Sequence, residues 1–308
     1  MHTQGPTFLI IGAGKSGTTA LHAYLDQHPD VYMSSVKETN FFALEGVDVK
    51  REGDQSEDQM EHYPWAITDR GEYLKLFEEA GKVSAKGETS PMYLYNEKAP
   101  VNIKAWNPEM KLIAILREPV DRLYSRYMHL VREHRAPSKD FMNCLDSNSI
   151  WWKRNDLVRE GFYGTYIERY FNQFNPEQIK VFLYEDLRSD ELRVIKEIYA
   201  FIGVDADFIP DTERQHNVSG KIKNPVVDAL FGQRSILKRA IRSLAPGLVE
   251  KLRSSEGAQK MVQNIRSKNL EKAPLSPEDR RRIQEEVYAS EMEKLSRLLN
   301  RDLGHWGY

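Results

Sequence analysis

FLIIGAGKSGTTALHAYL, residues 8–25, is a short apolar run that breaks into a glycine-rich turn and resumes with helical spacing. Phe8 to Ile11 have the β-branched and aromatic character of a buried parallel strand, while Ala20, Leu21, Tyr24 and Leu25 recur at helical intervals. The glycines between them let the backbone aim several N–H groups at one point. The helix that follows adds the positive end of its dipole, so the loop suits an anion, most often a phosphate. A Walker A loop places lysine directly after its last glycine, then Ser or Thr for magnesium. Here Gly17 is followed by Thr18, and the lysine is displaced to position 15. From inside the turn its ammonium reaches the reacting end of a bound nucleotide, which suggests group transfer assisted by lysine rather than by a metal. Gly12, Gly14, Lys15, Ser16, Gly17, Thr18 and Thr19 are the candidate contacts. By itself, the stretch also reads as an ordinary glycine-rich strand-to-helix turn.

The 308 residues suffice for one large α/β domain, and no shift in composition marks a boundary within 1–308. The polar segments 44–70 and 225–272 read as insertions that form a lid or shape an acceptor pocket. A formal net charge of −2 provides no global basic field for nucleic acid, so any anion site is local. The one cysteine, Cys144, excludes an intrachain disulfide framework and a cysteine-based zinc site. That usage fits a reducing compartment. No cationic and then apolar leader opens the chain, and no apolar run approaches the roughly 18 residues of a membrane span. The expectation is a cytoplasmic protein.

Downstream, Pro29 ends the first helix and Val31 to Met33 read as a second strand, with His28 in the turn. Glu38, in Lys37-Glu-Thr-Asn-Phe-Phe42, follows that strand. The carboxyl ends of strands line the ligand crevice of an open α/β sheet, which would bring Glu38 near the loop. A surface glutamate beside core phenylalanines fits the local residues equally. Tyr73 to Ala80 reads as a helix, and Val83 to Glu88 as an edge-like strand leading into the turn at Thr89. Lys111 to Leu116, KLIAIL, is the strongest later strand. Pro119 opens the helix after it, running from Val120 to His134. Arg117 at the strand's end and Ser125 on the helix can converge on one phosphate, the guanidinium fork supplying paired donors and the hydroxyl completing the set. The other reading of Arg117 is a salt bridge to Glu118 or Asp121. His129 shares the face of Ser125, whereas His134 does not.

Trp151, Trp152 and residues 161–166 read as packed helices, and Ile179 to Tyr184 as a further strand. Glu185-Asp186 after it could pass for a Walker B pair, but without the Walker A residues it reads as a capping or structural acid. Asp190 to Ile202 is a helix stopped by Gly203. The polar stretch 214–225, with Lys221 and Lys223, reads as an anion-contacting loop. Leu275 to Asn300 reads as one amphipathic helix capped at Ser276-Pro277.

Together these residues resemble a sulfotransferase that uses 3′-phosphoadenosine 5′-phosphosulfate. The loop at 12–19 resembles that family's 5′-phosphosulfate motif, and Leu116-Arg-Glu-Pro-Val-Asp-Arg-Leu-Tyr-Ser125 its 3′-phosphate motif. Glu38-Thr-Asn-Phe-Phe42 is similar to the carbohydrate (heparan-sulfate-type) members and their bacterial relatives. The resemblance implies a three-layer α/β sandwich, a central parallel sheet flanked by helices, in a P-loop-like fold. It also implies Glu38 as general base, His129 as a second catalytic candidate near the acceptor, and Ser219, Gly220, Lys221 and Lys223 on a late loop that closes over the cofactor. Glu118 stands where Asp or Asn is more usual, and Thr89 where several carbohydrate-specific members have lysine. The implied reaction is metal-independent transfer of a sulfuryl group to a hydroxyl or amine of a small molecule, glycan or lipid. The rival readings are a P-loop nucleotide kinase or phosphotransferase, which chelation would stop, and a non-catalytic nucleotide-binding module, in which Glu38 would be dispensable.

Overall fold

The computed structural model describes residues 5–49, 63–133, 135–212 and 275–308, with the backbone of two short strands at 221–222 and 270–271. Five strands form a parallel sheet: β1 (Phe8–Gly12), β2 (Val31–Met33), β3 (Ala85–Thr89), β4 (Lys111–Leu116) and β5 (Ile179–Leu183). Their order is β2-β3-β1-β4-β5, with Leu9 beside Glu88 and Leu112, and Ala114 beside Val181. Phe8 to Ile11 and Leu112 to Leu116 are wholly buried, as parallel strands covered on both faces should be.

Helices fill the connections. After β1 comes α1 (Thr18–Leu25), and after β2 come α2 (Phe41–Leu44) and α3 (Arg70–Lys75). β3 leads to α4 (Met92–Tyr95) and α5 (Ala99–Trp106), and β4 to α6 (Pro119–Arg132). Then follow α7 (Ile150–Lys153) and α8 (Tyr163–Phe171), and, beyond β5, α9 (Tyr184–Ser189) and α10 (Glu191–Ile202). The last two are α11 (Pro277–Ile283) and α12 (Ala289–Leu299). On one face of the sheet, Leu21, Tyr24 and Leu25 of α1 and Val194, Ile198 and Tyr199 of α10 pack on Phe8, Ile10, Ile113 and Phe182. Each such side chain contributes about 1.5–3 kcal/mol by leaving water. Leu9 and Ile11 alternate to the opposite face. Beyond the strands, Phe41 stacks on Tyr73 at 4.1 Å, with Phe42 and Trp106 edge-on around them. No helix among the described residues is long and apolar enough to cross a membrane.

The chain divides into two compact units, one of Met1–Arg126, Pro137–His216 and Ser276–Tyr308, the other of Tyr127–Ala136 and Asn217–Leu275. The first holds the sheet. In the second, Lys221–Ile222 (β6) pairs antiparallel with Leu270–Glu271 (β7).

Several expectations are corrected. β3 is an inner strand between β2 and β1 rather than an edge. Its polar appearance misleads because Gly87 makes room for the Phe8 ring and Glu88 is buried in a hydroxyl network. The helix read at 73–80 starts earlier, at Arg70, because Asp69 caps it by accepting from Glu72 N at 2.8 Å. It gives way to a 3₁₀ turn at Glu78–Ala80. The C-terminal helix is interrupted by a π-helical turn at Gln284–Tyr288. That wider turn lets Gln284 donate to Trp306 O and Tyr288 to Val158 O, both from buried positions. The helix after β4 begins at Pro119 as expected but ends at Arg132, and His134 lies outside the described residues.

Candidate active site

β1 lies where the strand order reverses, with β3 on one side and β4 on the other. The crevice at the carboxyl ends of such strands is the ligand position of open α/β sheets. Ala13 N donates to Ile115 O at 2.8 Å, tying the glycine loop to β4. Lys15 has φ 67° and Gly17 φ 97°, so the loop turns through left-handed backbone before α1 begins. A Cβ at Gly17 would fall 3.2 Å from Leu187 and 3.3 Å from the Tyr184 ring. Ser16 is fully buried, and its Oγ has no hydrogen-bond partner among the described residues. Behind the loop, Gly14 N donates to Glu160 Oε1 at 2.6 Å, and Glu160 Oε2 pairs with Arg122 Nη1 at 2.8 Å. Both side chains are buried. Burial pushes the Glu160 carboxyl up to about 7, against the opposing pull of Arg122 and Arg126.

A second element converges from β2 and β3. Glu38 has φ 58° and donates its backbone N–H to Thr89 O at 2.8 Å, leaving its carboxylate exposed. The residues after it are held from inside. Thr39 Oγ1 donates to Glu88 Oε2 at 2.9 Å, as does Ser90 Oγ at 3.0 Å, and Ser90 Oγ accepts from Asn40 N at 3.1 Å. The Tyr93 and Tyr73 hydroxyls donate to the other carboxylate oxygen. Burial raises Glu88 to about 7 even against these four donors. Beside them, Lys37 Nζ donates to Thr19 Oγ1 at 2.7 Å, and His22 Nδ1 lies 2.9 Å from Thr89 Oγ1. Burial, and then the charge of Lys37, lowers His22 to about 4, so its ring is neutral at pH 7.

The third element is Arg117 at the end of β4. Its Nη1 donates to Lys15 O at 3.4 Å, and its guanidinium carbon lies 5.1 Å from the centre of the Tyr184 ring. The Asp121 carboxylate is 4.0 Å away, a loose contact at a half-exposed position. Glu118 turns elsewhere. It accepts from Val120 N and Asp121 N to cap α6, from Arg280 at 2.8 Å and from Tyr308 OH at 2.9 Å. Ser125 is buried within α6. Glu185 and Asp186 have structural partners: Trp306 Nε1 for the first, and Leu183 N and both terminal nitrogens of Arg301 for the second.

The sheet therefore draws together the loop residues from Gly12 to Thr19, the turn carrying Glu38, and Arg117. His129 belongs to the second unit, where its Nε2 lies 3.3 Å from Glu133 and its Nδ1 3.3 Å from Arg132. Lys221 opens β6, while Ser219, Gly220 and Lys223 lie outside the described residues. Glu160, Glu88, Tyr184 and Lys37 stand around the site without a sequence motif that marks them. Only Lys37, adjacent to Glu38, carried a local signal.

A sequence profile of the Sulfotransferase family matches residues 6–208, which include all five strands of the sheet. A bifunctional heparan sulfate N-deacetylase/N-sulfotransferase 4 of Mus musculus is 29% identical over 207 residues, and the type 3 enzyme of Homo sapiens 28%. Each match takes in 65% of this chain but only 22% of the relative's length. A sulfotransferase structure from Alicyclobacillus acidocaldarius superposes with a TM-score of 0.69 at 27% identity, covering 98% of this chain and 99% of that one. The family match extends over the anion loop, the Glu38 turn and the Arg117 strand end alike, and on that ground the chain belongs to the sulfotransferase family.

Proposed function

We propose that this chain moves the sulfuryl group of 3′-phosphoadenosine 5′-phosphosulfate to a hydroxyl or amine of an acceptor. The observation that carries the reading is the contact between the two anion elements: Arg117, from the end of β4, reaches the backbone of Lys15 in the loop after β1. One nucleotide with phosphates at two positions would engage both. The residues present fit such a donor. A buried Ser16 hydroxyl without a partner among the described residues, a turn of left-handed backbone and a helix N-terminus are what a phosphate oxygen completes.

The donor supplies an activated sulfuryl group, which carries less charge than a phosphoryl group. Lys15 and the loop N–H groups would hold the negative charge that grows on the departing oxygen, the task magnesium performs in kinases. Glu38 would take the proton from the acceptor as it attacks, with its exposed carboxylate free to meet an entering molecule. Arg117 and Ser125 would bind the 3′-phosphate, and Gly12, Ser16, Gly17, Thr18 and Thr19 the 5′ end, while Gly14, expected among these contacts, has its N–H held by Glu160 and would shape the loop instead. His129 is the second candidate for the base. Ser219, Gly220, Lys221 and Lys223 are assigned to cofactor closure by resemblance alone.

The names of the mouse and human relatives point to heparan sulfate, so amino sugars with a free amine, and then sugar hydroxyls, are the first acceptors to try. The test is transfer of labelled sulfate from the donor to acceptor pools, with and without EDTA. It is joined to calorimetric titration with adenosine 3′,5′-bisphosphate. Transfer that survives chelation supports the reading. Absence of bisphosphate affinity, or tighter binding of ATP with magnesium, would replace it with the nucleotide kinase or the binding module.

A further inference from the structure

Lys37 is a half-buried ammonium beside the anion loop whose role no motif assigned. Its Nζ donates to Thr19 Oγ1 at 2.7 Å, in the first turn of α1. That turn is the positive end of the helix. Burial lowers the Lys37 pKa, and the charge that opposes this is that of Glu38, its chain neighbour. It forms no ion pair with any carboxylate among the described residues. The nearby His22, hydrogen-bonded to Thr89 and neutral at pH 7, has no negative form with which to balance the ammonium. A cation drawn from water next to a helix N-terminus, held by a hydroxyl rather than by a carboxylate, is unfavourable unless an anion completes it.

We infer that Lys37 is a second catalytic cation, joining Lys15 in contacting the oxygens of the sulfuryl group in transit from its position on Thr19. The inference rests on the sulfotransferase reading above. The geometry separates the two lysines by origin. Lys15 comes from within the β1–α1 loop, while Lys37 arrives from the turn after β2, directly ahead of the proposed base, Glu38. One turn would thus deliver both the group that activates the acceptor and a charge that stabilises the group being transferred. In the balanced step, the acceptor oxygen or nitrogen forms a bond to sulfur as the bond from sulfur to the bridging phosphate oxygen breaks. The proton passes to Glu38, and the electron pair stays on the bridging oxygen.

The experiment compares Lys37→Gln and Lys37→Arg with the unmodified protein, measuring affinity for adenosine 3′,5′-bisphosphate, affinity for the intact donor, turnover and melting temperature. Because the bisphosphate lacks the sulfuryl group, Lys37→Gln should bind it within about twofold of the unmodified protein while turnover falls roughly 10²- to 10³-fold, the scale of one lost electrostatic donor. Lys37→Arg should recover part of the turnover. Should the glutamine variant fail to fold, the arginine variant carries the test, since a displaced charge lowers turnover without touching bisphosphate affinity. Equal losses for donor and bisphosphate, or a loss confined to the acceptor KM, would overturn the assignment. If the unmodified protein bound no bisphosphate at all, the underlying reading would fail first and this one with it.

Discussion

Glu160 Oε1 lies 2.6 Å from the backbone nitrogen of Gly14, a hydrogen bond that spans 146 positions of chain and takes one donor of the anion loop out of solvent. The same carboxylate pairs with buried Arg122 at 2.8 Å. A negative group behind an anion site is tolerable only because that guanidinium balances it. The arrangement fixes the plane of the Gly14 peptide and so the direction of the N–H groups that follow.

Two substitutions separate the roles of Glu160. Glu160→Gln keeps an acceptor for Gly14 but removes the carboxylate paired with Arg122, and should lower stability in urea by about 3–5 kcal/mol at pH 8, above the value of about 7 to which burial raises that carboxyl. Glu160→Ala removes the acceptor as well, and its affinity for adenosine 3′,5′-bisphosphate should fall about tenfold further, the worth of one hydrogen bond. Equal bisphosphate affinity in the two variants would show that the loop holds its shape without Glu160.

Gly17 and Gly203 provide a matched pair. Both have left-handed backbone, φ 97° and 88°, so alanine at either position should cost roughly 1–2 kcal/mol in conformation. At Gly17 the added methyl also meets Tyr184, the ring against which Arg117 rests. At Gly203 the nearest of the neighbouring atoms is Lys111 Nζ, 3.7 Å away. Thermal melts should move similarly, while calorimetry should find bisphosphate binding weakened only in Gly17→Ala.

On the proposed chemistry, Glu38→Gln should lose about 10²- to 10⁴-fold in turnover, the scale of a positioned general base, with bisphosphate binding intact. Lys15→Ala should lose both. His129→Ala, assayed alongside, decides between the two candidate bases, and the expected outcome is a smaller loss than that of Glu38→Gln.

Glu88 makes a prediction in pH. Its carboxyl is raised to about 7 in the fold, above the 4.5 of an unfolded glutamate. Between those values the unfolded chain gives up its proton first, so this group's contribution to stability is full below pH 4.5 and is lost as pH rises towards 7. The stability difference between Glu88→Gln and the unmodified protein should therefore shift in favour of the variant across that window, by up to on the order of 3 kcal/mol. A difference that stays flat from pH 5 to 8, in chemical denaturation, would mean Glu88 is ionised throughout.

Much of the fold was legible because its signals are local. Strand β4 announces itself as six consecutive residues, Lys111–Leu116, ending at a proline-started helix, and both follow from side-chain period and the missing proline N–H. β3 was misplaced for a physical reason. Period and hydrophobicity describe the average environment of a strand, whereas Gly87 and Glu88 are suited to specific neighbours, the Phe8 ring and four hydroxyls. The π-helical turn at Gln284–Tyr288 was hidden likewise, since the groups Gln284 and Tyr288 reach lie elsewhere in the chain.

By itself the amino-acid sequence determined the strand–loop–helix at 8–25, the displacement of lysine to position 15 and the placing of Arg117 at a strand's end, because each is dictated by neighbours a few residues away. Only the tertiary structure decided what stands around them. Glu160 behind Gly14, Glu88 beneath the Glu38 turn, Tyr184 under Arg117 and Lys37 on Thr19 are all partnerships across sheet connections. Such pairs leave no periodic trace, since it is strand order that brings them together and burial that gives their charges their strength.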